Sequence, residues 1–405
     1  MIEIRTFLKK HTLIFIYLIV FTILLNGIFI YSGTKYLFEL SLFIFPLFIF
    51  YFGLSYFFNK KNINILKPFD KWKDKLPRNI DLILGGICIA LIISHLISLG
   101  GSPAIKGIGM SESGAIAELR RSITADTSAF WGYSSSFNIK AILPFSLLLF
   151  LFKKKKTFFI ILFIIGSFYA FSLMQKSYIL TVLLPIFIYL LLNKKFIQSI
   201  GIITTCVVVI VSLVFITSPQ LRGGKDTITK TEVVKTSKKT ENAPYYKRVY
   251  AGIMHRMFEV PGEMVVQWFE AIPEKKPFLN GAGYNFITQF TSLKYRNYAK
   301  ELYPIIRPQY AERGFKGSVN TASFMYEYSN FGNIGLILSA LFLSIIFIIT
   351  ENVFQSNFLM KISLNFFPVF MLSSGALTTA LFSNGWGPVI FLYFLFSKDL
   401  IKNHE

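Results

Sequence analysis

Ten apolar runs, near residues 11–31, 37–57, 81–99, 138–152, 157–173, 178–193, 198–217, 329–350, 362–381 and 387–398, constrain this chain more than any other feature. Lipid hydrocarbon offers backbone N–H and C=O groups no partner, so a chain crosses it only where its own backbone satisfies them. Segments approaching the ~20 residues of a bilayer crossing therefore read as transmembrane helices, and the shortest runs leave their ends open. The expected fold class is an all-α polytopic membrane protein with about ten transmembrane helices. A hydrophobic content of 53%, an aromatic content of 17% and a mean hydropathy of +0.54 exceed what a water-soluble domain of this size carries. The first run follows Arg5, Lys9 and Lys10 but has no small-residue cleavage signature, so it reads as a retained helix. Cys88 and Cys206 lie inside apolar runs and read as small hydrophobic residues, not as a disulfide or metal framework.

The formal net charge of +21 is informative only by location. Lys60, Lys61, Lys67, Lys71, Lys73, Lys75 and Arg78 form one basic cluster, Lys153 to Lys156 a second, and Lys194 with Lys195 a third. They alternate with the spans as cytoplasmic loops should, which places both termini inside. Three regions follow: an N-terminal bundle at 1–217 with about seven spans and an exposed loop at 100–137, a large loop at 218–328, and a C-terminal bundle at 329–405 with about three spans. Both long loops fall on the extracytoplasmic face.

The large loop carries 17 Lys/Arg against 10 Asp/Glu over residues 217–329, an excess that orientation does not require. Most of these cations read as solvated surface. Arginines beside apolar residues read as binders of a phosphate or an anionic lipid head. Residues 223–243 are Lys/Thr-rich and without apolar periodicity, an excursion where no chemistry is expected. From Tyr245 to Ile272 the apolar spacing becomes helical, predicting two amphipathic helices broken near Pro261-Gly262. Arg248 and Arg256, eight residues apart, lie near one face of the first, with His255 adjacent. Glu259 and Glu263 are expected to pair with Arg256. Asn280 to Asn285 reads as a Gly-rich bend. Arg307, Tyr310, Arg313 and Lys316 lead to Ser323-Phe324-Met325-Tyr326-Glu327-Tyr328-Ser329-Asn330-Phe331-Gly332-Asn333-Ile334-Gly335, which runs into the next span. A carboxylate and aromatic rings at a cavity mouth suit a sugar, since rings stack on pyranose faces and carboxylates accept from hydroxyls. An interfacial aromatic belt is the competing account of Tyr326 and Tyr328.

In the smaller loop, Arg120 and Arg121 read either as a diphosphate clamp or, through Glu118, as an ordinary helix-surface pair. Lys176 reads either as snorkelling to headgroups or as neutralising a substrate phosphate. Glu39 and His95, in or near spans, are ionisable groups with no legible partner, and Asn384 to Pro388 reads as a structural bend. The chain lacks a Walker A loop, a His-Glu-x-x-His pair, a Cys/His cluster and a Gly-x-Ser-x-Gly elbow, which removes support for ATP-driven transport and zinc or serine hydrolysis.

Many spans, one large extracytoplasmic loop ending at Ser323 to Gly335, Lys176 after a mid-chain span and arginines in two external loops together resemble the Wzy-type oligosaccharide repeat unit polymerases. These are the O-antigen and exopolysaccharide polymerases of bacterial inner membranes. The resemblance implies a GT-C-like membrane glycosyltransferase in the inner membrane, active at its periplasmic face, with no cofactor or metal. It would move a growing glycan from undecaprenyl diphosphate to the non-reducing end of an incoming lipid-linked repeat unit. Its partners would be those donor and acceptor lipids, membrane lipids and a chain-length regulator protein, with no nucleic acid. Cations at the departing diphosphate would stabilise the transition state more than the ground state. Arg120, Arg121, Lys176, Arg248, Arg256 and Arg313 are the binding candidates, with Tyr326 at the sugar. Glu327 and His255 lead Glu259 as the base on the acceptor hydroxyl. An O-antigen ligase, which transfers glycan to lipid A core, and a lipid-linked oligosaccharide flippase remain the alternatives. The absence of internal repeats and the concentration of polar groups at one face favour an enzyme over a carrier.

Overall fold

The computed structural model describes residues 2–60, 71, 77, 79–125, 128–217, 254–312 and 314–401. Among them every regular element is helical. Six helices are long and apolar enough to cross a membrane: Thr12–Ser32, Leu37–Lys60, Ile80–Ser98, Ala129–Phe152, Phe196–Thr217 and Ser323–Val353. Four shorter apolar helices, Lys156–Ser172, Lys176–Leu192, Phe358–Met371 and Trp386–Ile401, accompany them. Ile49, Ile97, Ile164 and Val208 stand exposed on these helices, which suits side chains whose solvent is lipid. This is the pattern of a polytopic membrane protein. Arg248, Arg313 and the excursion at 223–243 lie outside the described residues.

The chain forms two compact units. The first gathers residues 1–65, 236–352 and 369–380. Its core is aromatic: Phe43 stacks on Phe324 at 4.7 Å, Phe21 meets the edge of the same ring, and Tyr17 packs on Phe347 at 5.6 Å. Such offset and edge contacts add to what burial alone supplies. Ser344 Oγ donates to the Leu47 carbonyl at 3.2 Å, one of the interhelical hydrogen bonds that bind helices in an apolar medium.

The Val260–Ala271 helix from the large loop packs on Thr12–Ser32. Their backbones meet at Gly262 and Gly27, where a Cβ on Gly262 would overlap the main chain of Gly27 and Ile28. Only glycine permits that approach. The expected break in this amphipathic segment falls at Glu259, ahead of Pro261 and not at Pro261-Gly262. Proline in the first turn lacks an N–H that would have had no intrahelical partner anyway, so it starts a helix where the sequence reading had it divide one.

The second unit gathers residues 66–235, 353–368 and 381–405. Gly85 admits the Phe150 ring and Gly166 admits Leu143, so small residues again set the closest helix contacts. The Ala129–Phe152 helix contains a π-turn at Asn138–Ile142, whose Asn138 Nδ2 donates to the Cys88 carbonyl at 3.1 Å. Gly385, at φ +80°, lies against the Lys140 backbone, and the Lys140 ammonium donates to Ser383 O and Asn384 Oδ1, each at 3.0 Å. The bend expected at Asn384 to Pro388 is thus held by a lysine.

The run at 362–381 is not one helix. Phe358–Met371 ends there, and the chain turns through Leu372 to Gly375 before the single turn Leu377–Leu381. Ser373 Oγ donates to the Phe370 carbonyl, a local bond that competes with helix continuation ahead of Gly375. Apolar content concealed this break.

Candidate functional site

The Ser323–Val353 helix is interrupted at Gly332, where φ is +59° and ψ −139°. Glycine reaches that region without the clash an L side chain would meet. After the break Gly335 passes so close to the Glu327 carbonyl that a Cβ there would overlap it. The interruption removes the ordinary i+4 donors from the last carbonyls of the first arm. The Asn280 to Tyr284 bend supplies substitutes: Leu279 N–H donates to Ser329 O and Asn280 N–H to Asn330 O, both at 2.9 Å. Gly283 N–H donates to Asn330 Oδ1 at 3.1 Å, in space a Cβ would fill. Positive φ at Asn280 and Gly281 turns the chain back at that point.

This pairing brings Tyr284 to Glu327. The tyrosine hydroxyl donates to Oε1 at 3.2 Å. Glu327 is only 4% exposed; among the described residues no hydrogen bond of ordinary geometry reaches its Oε2, and the Ser339 hydroxyl also lies against the carboxyl. A buried carboxyl oxygen without a well-formed hydrogen bond is costly in a purely structural role. Burial pushes the Tyr284 hydroxyl above its ordinary pKa, and the Glu327 charge adds to that. Tyr284 therefore stays a protonated donor and holds one oxygen of the carboxyl.

Glu327 lines a cavity of about 180 Å³ within the first unit. Ser329, Asn330 and the buried Tyr298 form its deep side with Glu327, while Tyr284, Tyr326 and Arg296 contribute walls. Asn320, Thr378 and Thr379 are exposed and form the rim. Behind Tyr326 stands Trp268, its ring 5.2 Å away and its Nε1 donating to Val319 O at 3.1 Å. The Tyr298 hydroxyl donates to the Pro277 carbonyl. Arg296 forks onto Glu301, with Nε 3.1 Å from Oε1 and Nη2 2.5 Å from Oε2, and Lys276 reaches Oε2 at 3.7 Å. The Arg296 hydrogen bond holds the Glu301 carboxyl below the usual range, and Glu301 in turn holds Arg296 above its own. The one cation among the lining residues is thus already balanced.

Of the residues expected from sequence, Glu327 and Tyr326 meet at this cavity. His255 and Arg256 belong to the same unit but are not among the lining residues. His255 Nδ1 lies 2.9 Å from Glu259 Oε2, and Arg256 is exposed. Glu259 thus pairs with His255, and Glu263 accepts from Arg307 at 3.0 Å and Gln267 at 2.8 Å, where Arg256 was the expected partner of both. Arg120, Arg121 and Lys176 belong to the other unit, and all three are exposed. Arg121 and Glu118 form the i,i+3 surface pair at 3.8 Å. His95 is buried with Nδ1 2.8 Å from the Tyr169 hydroxyl, and Glu39 is half-buried.

Tyr284, Arg296, Asn330, Thr378 and Thr379 were not singled out by the sequence reading. One legible signal pointed toward them: a glycine following Asn330 by two residues at the mouth of a span, with an Asn-Gly bend upstream. No family model, curated protein or solved structure matches this chain.

Proposed function

We propose that this chain is a membrane glycosyltransferase of the oligosaccharide repeat unit polymerase kind, GT-C-like, with about ten crossings and an extracytoplasmic active face. The observation carrying the proposal is Glu327: a buried carboxyl with one oxygen held by Tyr284, in a residue that lines a small cavity of tyrosines, amides and hydroxyls. That is the equipment for receiving a sugar hydroxyl and taking its proton.

In this reading the non-reducing terminal sugar of the incoming repeat unit enters the cavity. The Glu327 carboxylate accepts the proton of its attacking hydroxyl as that oxygen bonds to the anomeric carbon of the donor glycan. The bond from that carbon to the diphosphate oxygen breaks, and undecaprenyl diphosphate leaves with the electron pair. Tyr284 acts as a positioning residue, fixing the carboxyl through Oε1. No cofactor takes part. Arg120, Arg121 and Lys176 remain the candidates for the donor diphosphate, a separate set on which the acceptor half of the proposal does not depend.

Deletion of the gene in its host, followed by glycan electrophoresis, tests the assignment. Loss of long chains with single repeat units still attached to lipid A core, restored by the intact gene and not by Glu327→Gln at equal protein level, supports it. Loss of even single-unit attachment would point to a ligase or a flippase and overturn it.

A further inference from the structure

We infer that the Glu327 cavity takes a single uncharged pyranose ring and excludes sugars that carry a carboxylate, so that the acceptor end of the glycan is a neutral sugar. The inference rests on the reading of this cavity as a sugar site. It goes beyond that reading by fixing the chemical class of the sugar.

Size sets the first limit. At about 180 Å³ the cavity is smaller than the ~300–1,000 Å³ of sites that enclose drug-sized ligands, so it admits one ring and leaves the rest of a repeat unit outside. Charge sets the second. A uronate bound here would bring its carboxylate beside Glu327, and two carboxylates sharing one low-dielectric site repel strongly unless one takes up a proton. Arg296 offers a uronate less than a free guanidinium would, because its Nε and Nη2 are engaged by Glu301, whose charge balances its own. The exposed rim groups, the Asn320 amide and the Thr378 and Thr379 hydroxyls, are uncharged and suit hydroxyl or acetamido substituents. Tyr284 and Tyr326 supply apolar ring surface for the face of a pyranose. Selectivity thus arises from repulsion of the wrong ligand as much as from attraction of the right one.

The test uses the full chain in lipid nanodiscs and saturation-transfer NMR with matched pairs of probes: methyl glucoside against methyl glucuronide, and methyl galactoside against methyl galacturonide. At neutral pH at least one neutral glycoside should bind, with its uronide at least tenfold weaker. In Glu327→Gln the uronide should gain, closing most of that gap, because a neutral amide no longer repels it. Thr378→Val, at the exposed rim, should weaken the neutral glycoside severalfold and serves if Glu327→Gln fails to accumulate. Equal or tighter binding of a uronide to the unaltered protein overturns the inference, and so does failure of every neutral glycoside to bind. The polymerase reading fails separately. Neutral-only binding together with normal glycan ladders from Glu327→Gln would leave the inference standing and remove the proposed base. Uronide binding with ladders lost in that variant would do the reverse.

Discussion

Two carboxyls, one in each unit, are equally hidden and differently served. Asp81 is fully buried at the start of the Ile80–Ser98 helix, with the Lys155 ammonium 2.6 Å from one oxygen and that of Lys153 3.7 Å from the other. Glu327 is 4% exposed and, among the described residues, meets no cation, only the hydroxyls of Tyr284 and Ser339. A buried carboxylate is destabilising unless cations or donors answer both oxygens. Asp81 is answered by two cations, although neither oxygen meets hydrogen-bond geometry, and it ties a basic turn to a helix. Glu327 is answered by hydroxyls alone, and the residue lines a cavity. Burial alone therefore does not separate the two carboxyls; their partners do.

The contrast breaks most decisively through Glu327→Gln. Removing a general base costs about 10²–10⁴ in rate, so chain extension by the purified protein on a lipid-linked repeat unit should fall by at least ~100-fold at unchanged protein yield. Retained extension would put Glu327 with Asp81 as a structural group. Asp81→Asn should behave in the opposite way. It leaves two lysines facing an amide, and thermal melting in detergent should report a loss on the order of 2 kcal/mol, reduced from a fully buried pair because the lysines reach water. Extension per folded molecule should stay at the unaltered level, and a selective loss of rate would give Asp81 a role in chemistry.

Tyr284→Phe sharpens the comparison from the partner's side. Loss of one hydrogen bond to a charged group, about 1.5 kcal/mol or more, should lower kcat roughly tenfold with the acceptor KM unchanged. A rise in KM alone would make Tyr284 a sugar contact instead of a positioning residue. The smallest effect concerns Glu301, a surface carboxyl fully engaged by Arg296. Its pKa is depressed in the folded protein, so its stabilising contribution is present at neutral pH and disappears as pH falls through and below the usual carboxylate range. Melting temperature against pH should show that acid-side decline, and Glu301→Gln should flatten it slightly.

Much of the helical framework was legible because lipid imposes a blunt rule on apolar length. Each apolar run coincides with helix over most of its extent. The rule is blind to interruptions inside apolar sequence, which is why the turn at Leu372 to Gly375, and with it Thr378 and Thr379, passed for the interior of a span. Tyr326 and Glu327 stood out as a carboxylate and a ring next to a span. Tyr284 did not, since nothing local says that a Gly-rich bend will pair with carbonyls released 50 residues later by Gly332. The basic run at Lys153 to Lys156 was assigned to orientation, and two of its members turn out also to neutralise Asp81. Pairwise assignments failed where several partners were in reach: Glu259 chose His255 and Glu263 chose Arg307.

The cavity draws its walls from residues 279–299, 320–330 and 376–379, and Ser323 N–H is held by the Leu372 carbonyl at 2.8 Å. A ribosome that has delivered Glu327 has not yet delivered its enclosure. During synthesis the carboxyl waits until the segment around Thr378 and Thr379 has been made and has folded against it. A nascent chain halted before that point carries the carboxyl without the cavity it lines in the folded chain.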